Sequence, residues 1–168
     1  MKLLIEKLQN LRDLYINQVR TLLSAEEQLD KALETMREVA TDTQLQQAFL
    51  SHKQETKVHA TRLRHILNET AGGVDEEKCG SIAALIKEGE QLIQQCDGTL
   101  RDVALIAAAQ RIEHYEIAAY GALRNLAQAL ELTGEAETLD QTLDEEKHAD
   151  HLLTSISDRL NAAAMQLP

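Results

Sequence analysis

Apolar residues recur every three to four positions along four long stretches of this chain, and each stretch interrupts its stripe with a glutamate. The first stretch runs through Leu11, Leu14, Ile16, Val19, Leu22, Leu23, Leu29, Leu33 and Met36, with Glu26 in the stripe. The second passes through Leu45, Phe49, Glu55, Leu63 and Ile66, with His52 and His59 among them. The third carries Val103, Ile106, Ala109, Glu113, Glu116, Ile117, Tyr120 and Leu123, and the fourth Leu139, Leu143, Glu146, Leu153 and Ile156. A period of 3.6 marks helices that bury one face. A lone carboxylate on such a face costs several kcal/mol unless it is paired, protonated or metal-bound.

Composition supports the same fold class. Of 168 residues one is proline, none is tryptophan and one is phenylalanine, and strong helix formers dominate. The chain is expected to be all-α, a single domain over residues 1–168 with residues 1–9 as an N-terminal extension. Its net charge of −11, with basic residues scattered among acids, argues against nucleic acid or an anionic membrane surface as partner. The first residues, MKLLIEKLQNLRD, are broken by Glu6 and Lys7 and resemble neither a signal peptide nor a membrane span, so the cytoplasm is the expected location. Cys79 and Cys96 lack metal or redox spacing and read as free thiols, away from the carboxylates.

Caps and breaks set the topology. Asn10 with Asp13 is expected to start the first helix, Thr43 with Gln46 the second, and Thr99 with Asp102 the fourth. Gly72-Gly73, Asp97-Gly98 and Thr133-Gly134 read as stops or turns. Two tight links make two antiparallel hairpins, and residues 69–98 form a crossover carrying a short helix, roughly Ser81 to Cys96. One long crossover between two hairpins is the ferritin-like four-helix bundle.

Four glutamates at one level of such a bundle, one from each helix, can hold two metal ions. Glu55 with His59, and Glu146 with Asp150, are spaced i, i+4; Glu113 with Glu116 is i, i+3, so each pair shares a face. The expected ligands are therefore Glu26, Glu55, His59, Glu113, Glu116, Glu146 and Asp150. A small rotation would turn Asp150 to solvent. His52 reads either as a further ligand or as a partner orienting one. Carboxylates with imidazole suit iron, or else manganese. Glu145 and His148 offer a rival ExxH pair, but their stripe is mostly polar, so burial favours Glu146. Tyr120 reads as a core tyrosine, and His114 and His151 as outward-facing.

The segments SAEEQLDKAL (24–33), QAFLSHKQET (47–56), RDVALIAAAQRIEHYEIAAYGAL (101–123) and TLDEEKHAD (142–150) resemble the YciF-like family of bacterial stress-induced ferritin-like proteins. The resemblance implies a rubrerythrin-like dinuclear metal site, often in a homodimer, with Glu26, Glu55, Glu113, Glu116 and Glu146 as ligands. His59 departs from the family pattern, in which glutamine is common there. The expected function is a di-iron protein of stress response reacting with oxygen or peroxide. A non-enzymatic stress-assembly protein with a structural metal site is the alternative, and iron storage a third.

Overall fold

The computed structural model describes residues 7–74 and 78–166. Part of the expected N-terminal extension (residues 1–6) and a piece of the crossover (residues 75–77) lie outside the described residues. Among the described residues five helices follow one another: α1 (Leu11–Val39), α2 (Thr43–Ala71), α3 (Gly80–Ile93), α4 (Gly98–Ala129) and α5 (Thr133–Ala164). The described chain is all-helical, and none of its helices is long and apolar enough to cross a membrane.

Asn10 caps α1 as its sequence position suggests, its side chain accepting from the Asp13 amide at 2.9 Å. The cap of α2 falls one residue earlier than expected. Asp42, not Thr43, accepts from the Gln44 and Leu45 amides, at 3.1 and 3.0 Å. A carboxylate is the stronger acceptor at a helix N-terminus, where the dipole favours negative charge. Asp102 likewise does not cap its own helix. It is buried four residues into α4 and accepts from the Thr41 amide at 2.8 Å, the Thr41 hydroxyl at 2.6 Å and the Asp42 amide at 2.9 Å. The start of α4 is thereby fastened to the α1–α2 link.

The α4–α5 link also differs from the sequence reading. Thr133 and Gly134 lie inside α5, and the chain turns at Leu130–Leu132, with Glu131 at φ 61° and the Leu132 amide donating to the Ala127 carbonyl at 2.9 Å.

α1 packs chiefly on α2, and α4 on α5, while α2–α5 and α1–α4 contacts join the pairs. Long-range bonds fix the direction of each helix. Tyr15 near the start of α1 donates to Glu135 near the start of α5 at 2.5 Å, and Arg12 reaches the Thr70 carbonyl at the end of α2. At the opposite end Arg159 of α5 grips Asp42 with two bonds of 2.8 Å. So α1 and α5 point one way, α2 and α4 the other, and the segment holding α3 returns the chain between ends. α3 lies against α4 and α1, its Gly89 so close to α4 that an added Cβ would stand 2.9 Å from that of Ala108.

Candidate metal centre

Each long helix sends a polar side chain into an otherwise apolar interior. On α1, Glu26 (0% exposed) sits between Leu22 and Leu29; on α5, Glu146 (0%) follows Leu139 and Leu143. α4 contributes Glu113 and Glu116 within the stripe of Ala109, Ile112 and Tyr120. α2 contributes two histidines, His52 and His59, seven residues apart and so on one face after two turns.

These groups fall into two overlapping sets. Ligand atoms of His52, Glu113, Glu116 and Glu146 lie within 4.8 Å of one another, as do those of Glu26, His59 and Glu146. Glu146 belongs to both. His52 Nε2 is 3.2 Å from a Glu113 oxygen and 3.6 Å from one of Glu146; His59 Nδ1 is 3.0 Å from Glu146 Oε1 and 3.6 Å from Glu26 Oε1.

Hydrogen bonding does not satisfy this interior. Glu26 Oε2, Glu113 Oε2, both oxygens of Glu116 and of Glu146, His52 Nε2 and His59 Nδ1 are buried without a hydrogen-bond partner. Buried polar atoms are nearly always partnered, so so many converging orphans call for an explanation. The Tyr120 hydroxyl donates to Glu26 Oε1 and its ring meets that of His59 edge-on, centroids 6.1 Å apart.

Electrostatics report the same crowding. Loss of hydration, reinforced by the charges of Glu26, Glu146 and Glu113, raises the Glu116 carboxyl well above its usual range. Burial likewise raises Glu146. Burial opposes the charged form of both histidines, yet the adjacent carboxylates prevail. Glu113 and Glu55 hold His52 well above its usual value, and Glu146 and Glu26 push His59 up to about 10. Protons on the imidazoles thus offset the carboxylates, and cations binding here would displace them. The donor atoms are oxygen and nitrogen without thiolate, which fits iron or manganese.

Of the sequence-predicted ligands, Glu26, His59, Glu113, Glu116 and Glu146 are brought together, and His52 joins them as a direct member. Two are not. Glu55 is 41% exposed and meets only His52 Nδ1, at 3.4 Å. The inward face of α2 passes through Thr56 instead, between His52 and His59, because successive residues are rotated by about 100°. Asp150 accepts from Gln110 at 3.1 Å on the outer side of the α4–α5 pair and lies outside both sets.

On the rival register, Glu146 is indeed the buried member and His148 is exposed. Glu145, however, is not idle: it bonds His59 Nε2 at 2.9 Å and is itself gripped by Arg62. Sequence reading missed that pairing, although Arg62 stands one turn after His59 on the same face. His114 and His151 face outwards as expected. Both cysteines are free and belong to neither ligand set; Cys79 is buried, with Sγ 3.2 Å from the Tyr115 hydroxyl.

A cavity of about 80 Å³ opens beside the centre, its apolar wall formed by Phe49, Leu152 and Leu153 and its polar wall by His52, Glu55, Glu113 and His148. Its size suits a molecule of a few atoms.

A family model described as a domain of unknown function, DUF892, matches residues 10–166. The protein YciF of Escherichia coli strain K12 is 36% identical over 152 residues, covering 89% of this chain and 92% of that one. Among solved structures, that of the E. coli stress protein YciF gives a TM-score of 0.88 at 34% identity, over 92% of this chain and 99% of that one. YcfI of Rhodopseudomonas palustris gives 0.86 at 34% identity, over 90% and 98%. A Xanthomonas campestris protein shares the fold, with a TM-score of 0.76 at 15% identity over 94% and 97%.

Proposed function

The chain belongs to the DUF892 family together with the E. coli stress protein YciF, and from that membership we propose that it is a ferritin-like di-metal carboxylate protein of bacterial stress response. Two hairpins and a crossover would form a ferritin-like four-helix bundle around two ions per chain, iron in the first instance and manganese as substitute. The observation that carries this reading is Glu146. It stands fully buried in both ligand sets, its oxygens met by imidazole nitrogens at 3.0 and 3.6 Å, where a carboxylate serving two cations would stand.

Glu146 would bridge; Glu26 and His59 would hold one ion, and His52, Glu113 and Glu116 the other. Bound iron would supply electron transfer towards oxygen or peroxide. The protein's own part is to hold these ligands buried and fixed, to keep Glu26 oriented through the Tyr120 hydroxyl, and to admit a small molecule through the cavity at His52. A homodimer in the cytoplasm is the assembly and location we assign to it.

Anaerobic titration with iron(II) should give about two ions per chain and a rise in thermal stability. Glu146→Ala should bind fewer than one and show no rise. A wild type that binds no metal, or a variant that binds as well as wild type, would overturn the reading.

One observation favours a second reading. The R. palustris relative is described as a candidate structural protein. On that reading the ions only stabilise the fold. Metal-loaded protein that gains stability but consumes neither oxygen nor peroxide would decide for it.

A further inference from the structure

The two histidines of α2 are held in unequal ways. His52 rests its outer nitrogen, Nδ1, on Glu55 at 3.4 Å, and Glu55 is 41% exposed. His59 is completely buried, and its outer nitrogen, Nε2, meets Glu145 Oε2 at 2.9 Å. Glu145 is fixed in turn by a fork. Arg62 Nη1 donates to Oε2 at 2.5 Å, Arg62 Nη2 to Oε1 at 3.1 Å, and Gln141 adds a bond to Oε1 at 3.0 Å. Arg62 Nη1 also donates to the Thr142 hydroxyl at 2.9 Å, tying α2 to α5 through a second point. Two-point guanidinium–carboxylate pairs fix orientation as well as supplying energy.

We propose that the Arg62–Glu145 pair positions His59 for metal, holding the proton on Nε2 and leaving Nδ1 as the donor atom, so that the ion at Glu26, His59 and Glu146 is the tightly held one of the two. This rests on the di-metal reading above. An imidazole that gives one nitrogen's lone pair to an ion keeps its proton on the other nitrogen. Both nitrogens of His59 face carboxylates, but only Nδ1 is directed at Glu146 and Glu26 of the ligand set, so an ion there takes the Nδ1 lone pair while Glu145 keeps the proton on Nε2. His52 has only a longer bond to a half-exposed partner, and its set adjoins the cavity. Its ion is the exchangeable one. Glu145 and Arg62 touch no ion in this arrangement; they act through His59.

Zinc provides a diamagnetic probe. In zinc-loaded wild type, long-range proton–nitrogen correlation should show His59 protonated at Nε2 and metal-bound at Nδ1, and titration should resolve a tight and a weaker step. Glu145→Ala should lose the slowly exchanging Nε2 proton signal and weaken the tight step roughly 10- to 100-fold, with the weak step unchanged. Glu145→Gln, which keeps an acceptor oxygen, should recover part of the affinity and the signal. Arg62→Ala, which leaves Glu145 in place but unclamped, should weaken the same step by a smaller factor. Zinc bound through Nε2, or both steps unchanged in Glu145→Ala, would overturn the proposal while the di-metal reading stood. Wild type that takes up no zinc, iron or manganese would overturn both. Helix content by circular dichroism separates either result from misfolding, and a Glu145→Ala chain that failed to fold would pass the decision to Glu145→Gln and Arg62→Ala.

Discussion

Glu116 is fully buried, its two oxygens have no hydrogen-bond partner, and three other carboxylates crowd it. Removing one partner from a buried charged group is usually costly, but here the metal-free protein offers little to remove. Replacing such a group by an apolar residue of similar volume is often stabilising. Glu116→Leu should therefore raise the stability of the metal-free protein by about 1–2 kcal/mol in urea denaturation, while weakening the metal-induced rise in melting temperature. A variant less stable than wild type without metal would mean that Glu116 has a structural role. At this scale the sequence was informative about residue type and less so about facing. Glu26, Glu113, Glu116 and Glu146 are buried at the expected positions. Glu55 is not, since Thr56 takes the inward place, and Asp150 turns out to Gln110. Adjacent residues differ by only about 100° of rotation, and an apolar stripe is broad enough to fit either choice.

Helices were legible because periodicity repeats over several turns and each repeat is independent evidence. Their ends were less so. Asn10 caps α1 as read, but Asp42 displaces Thr43, and Asp102 serves a neighbouring link. Asp42 and Thr43 are adjacent candidates for the same local amides, whereas the partners of Asp102 come from a link sixty residues away, which local sequence does not reveal. The α4–α5 link shows the cost of such choices. Glu131 occupies the left-handed region at φ 61°, a conformation that suits glycine far better than a residue with a Cβ. Glu131→Gly should stabilise the protein by about 1 kcal/mol, read from the denaturation midpoint with unchanged slope. An unchanged or lowered midpoint would show that the Glu131 side chain makes a compensating contribution.

The two helix pairs are joined at one end by Asp42, which caps α2 and accepts two bonds from Arg159 of α5. The Arg159 bonds, opposed by burial and aided by the Leu45 and Gln44 amides, lower the Asp42 carboxyl below its usual range. A lowered acid contributes stability that is present above its unfolded value and is lost as pH falls through its folded value. Asp42→Asn keeps a capping oxygen and removes the charge. It should therefore be less stable than wild type at neutral pH, with the deficit fading below roughly pH 4. A deficit of the same size at acid pH would assign it to cap geometry rather than charge.

By itself the sequence determined that the chain is helical, where most helices run, and that glutamates on the buried faces of α1, α4 and α5 need compensation. Each of those follows from local periodicity and from the cost of desolvating charge, which hold whatever the neighbours are. The tertiary structure decided which atoms meet: that α2 offers two histidines and no inward glutamate, that Glu146 serves both sets, and that Glu145 with Arg62 backs His59. Those outcomes depend on the rotation and axial register of one helix against another, set by packing summed over whole interfaces.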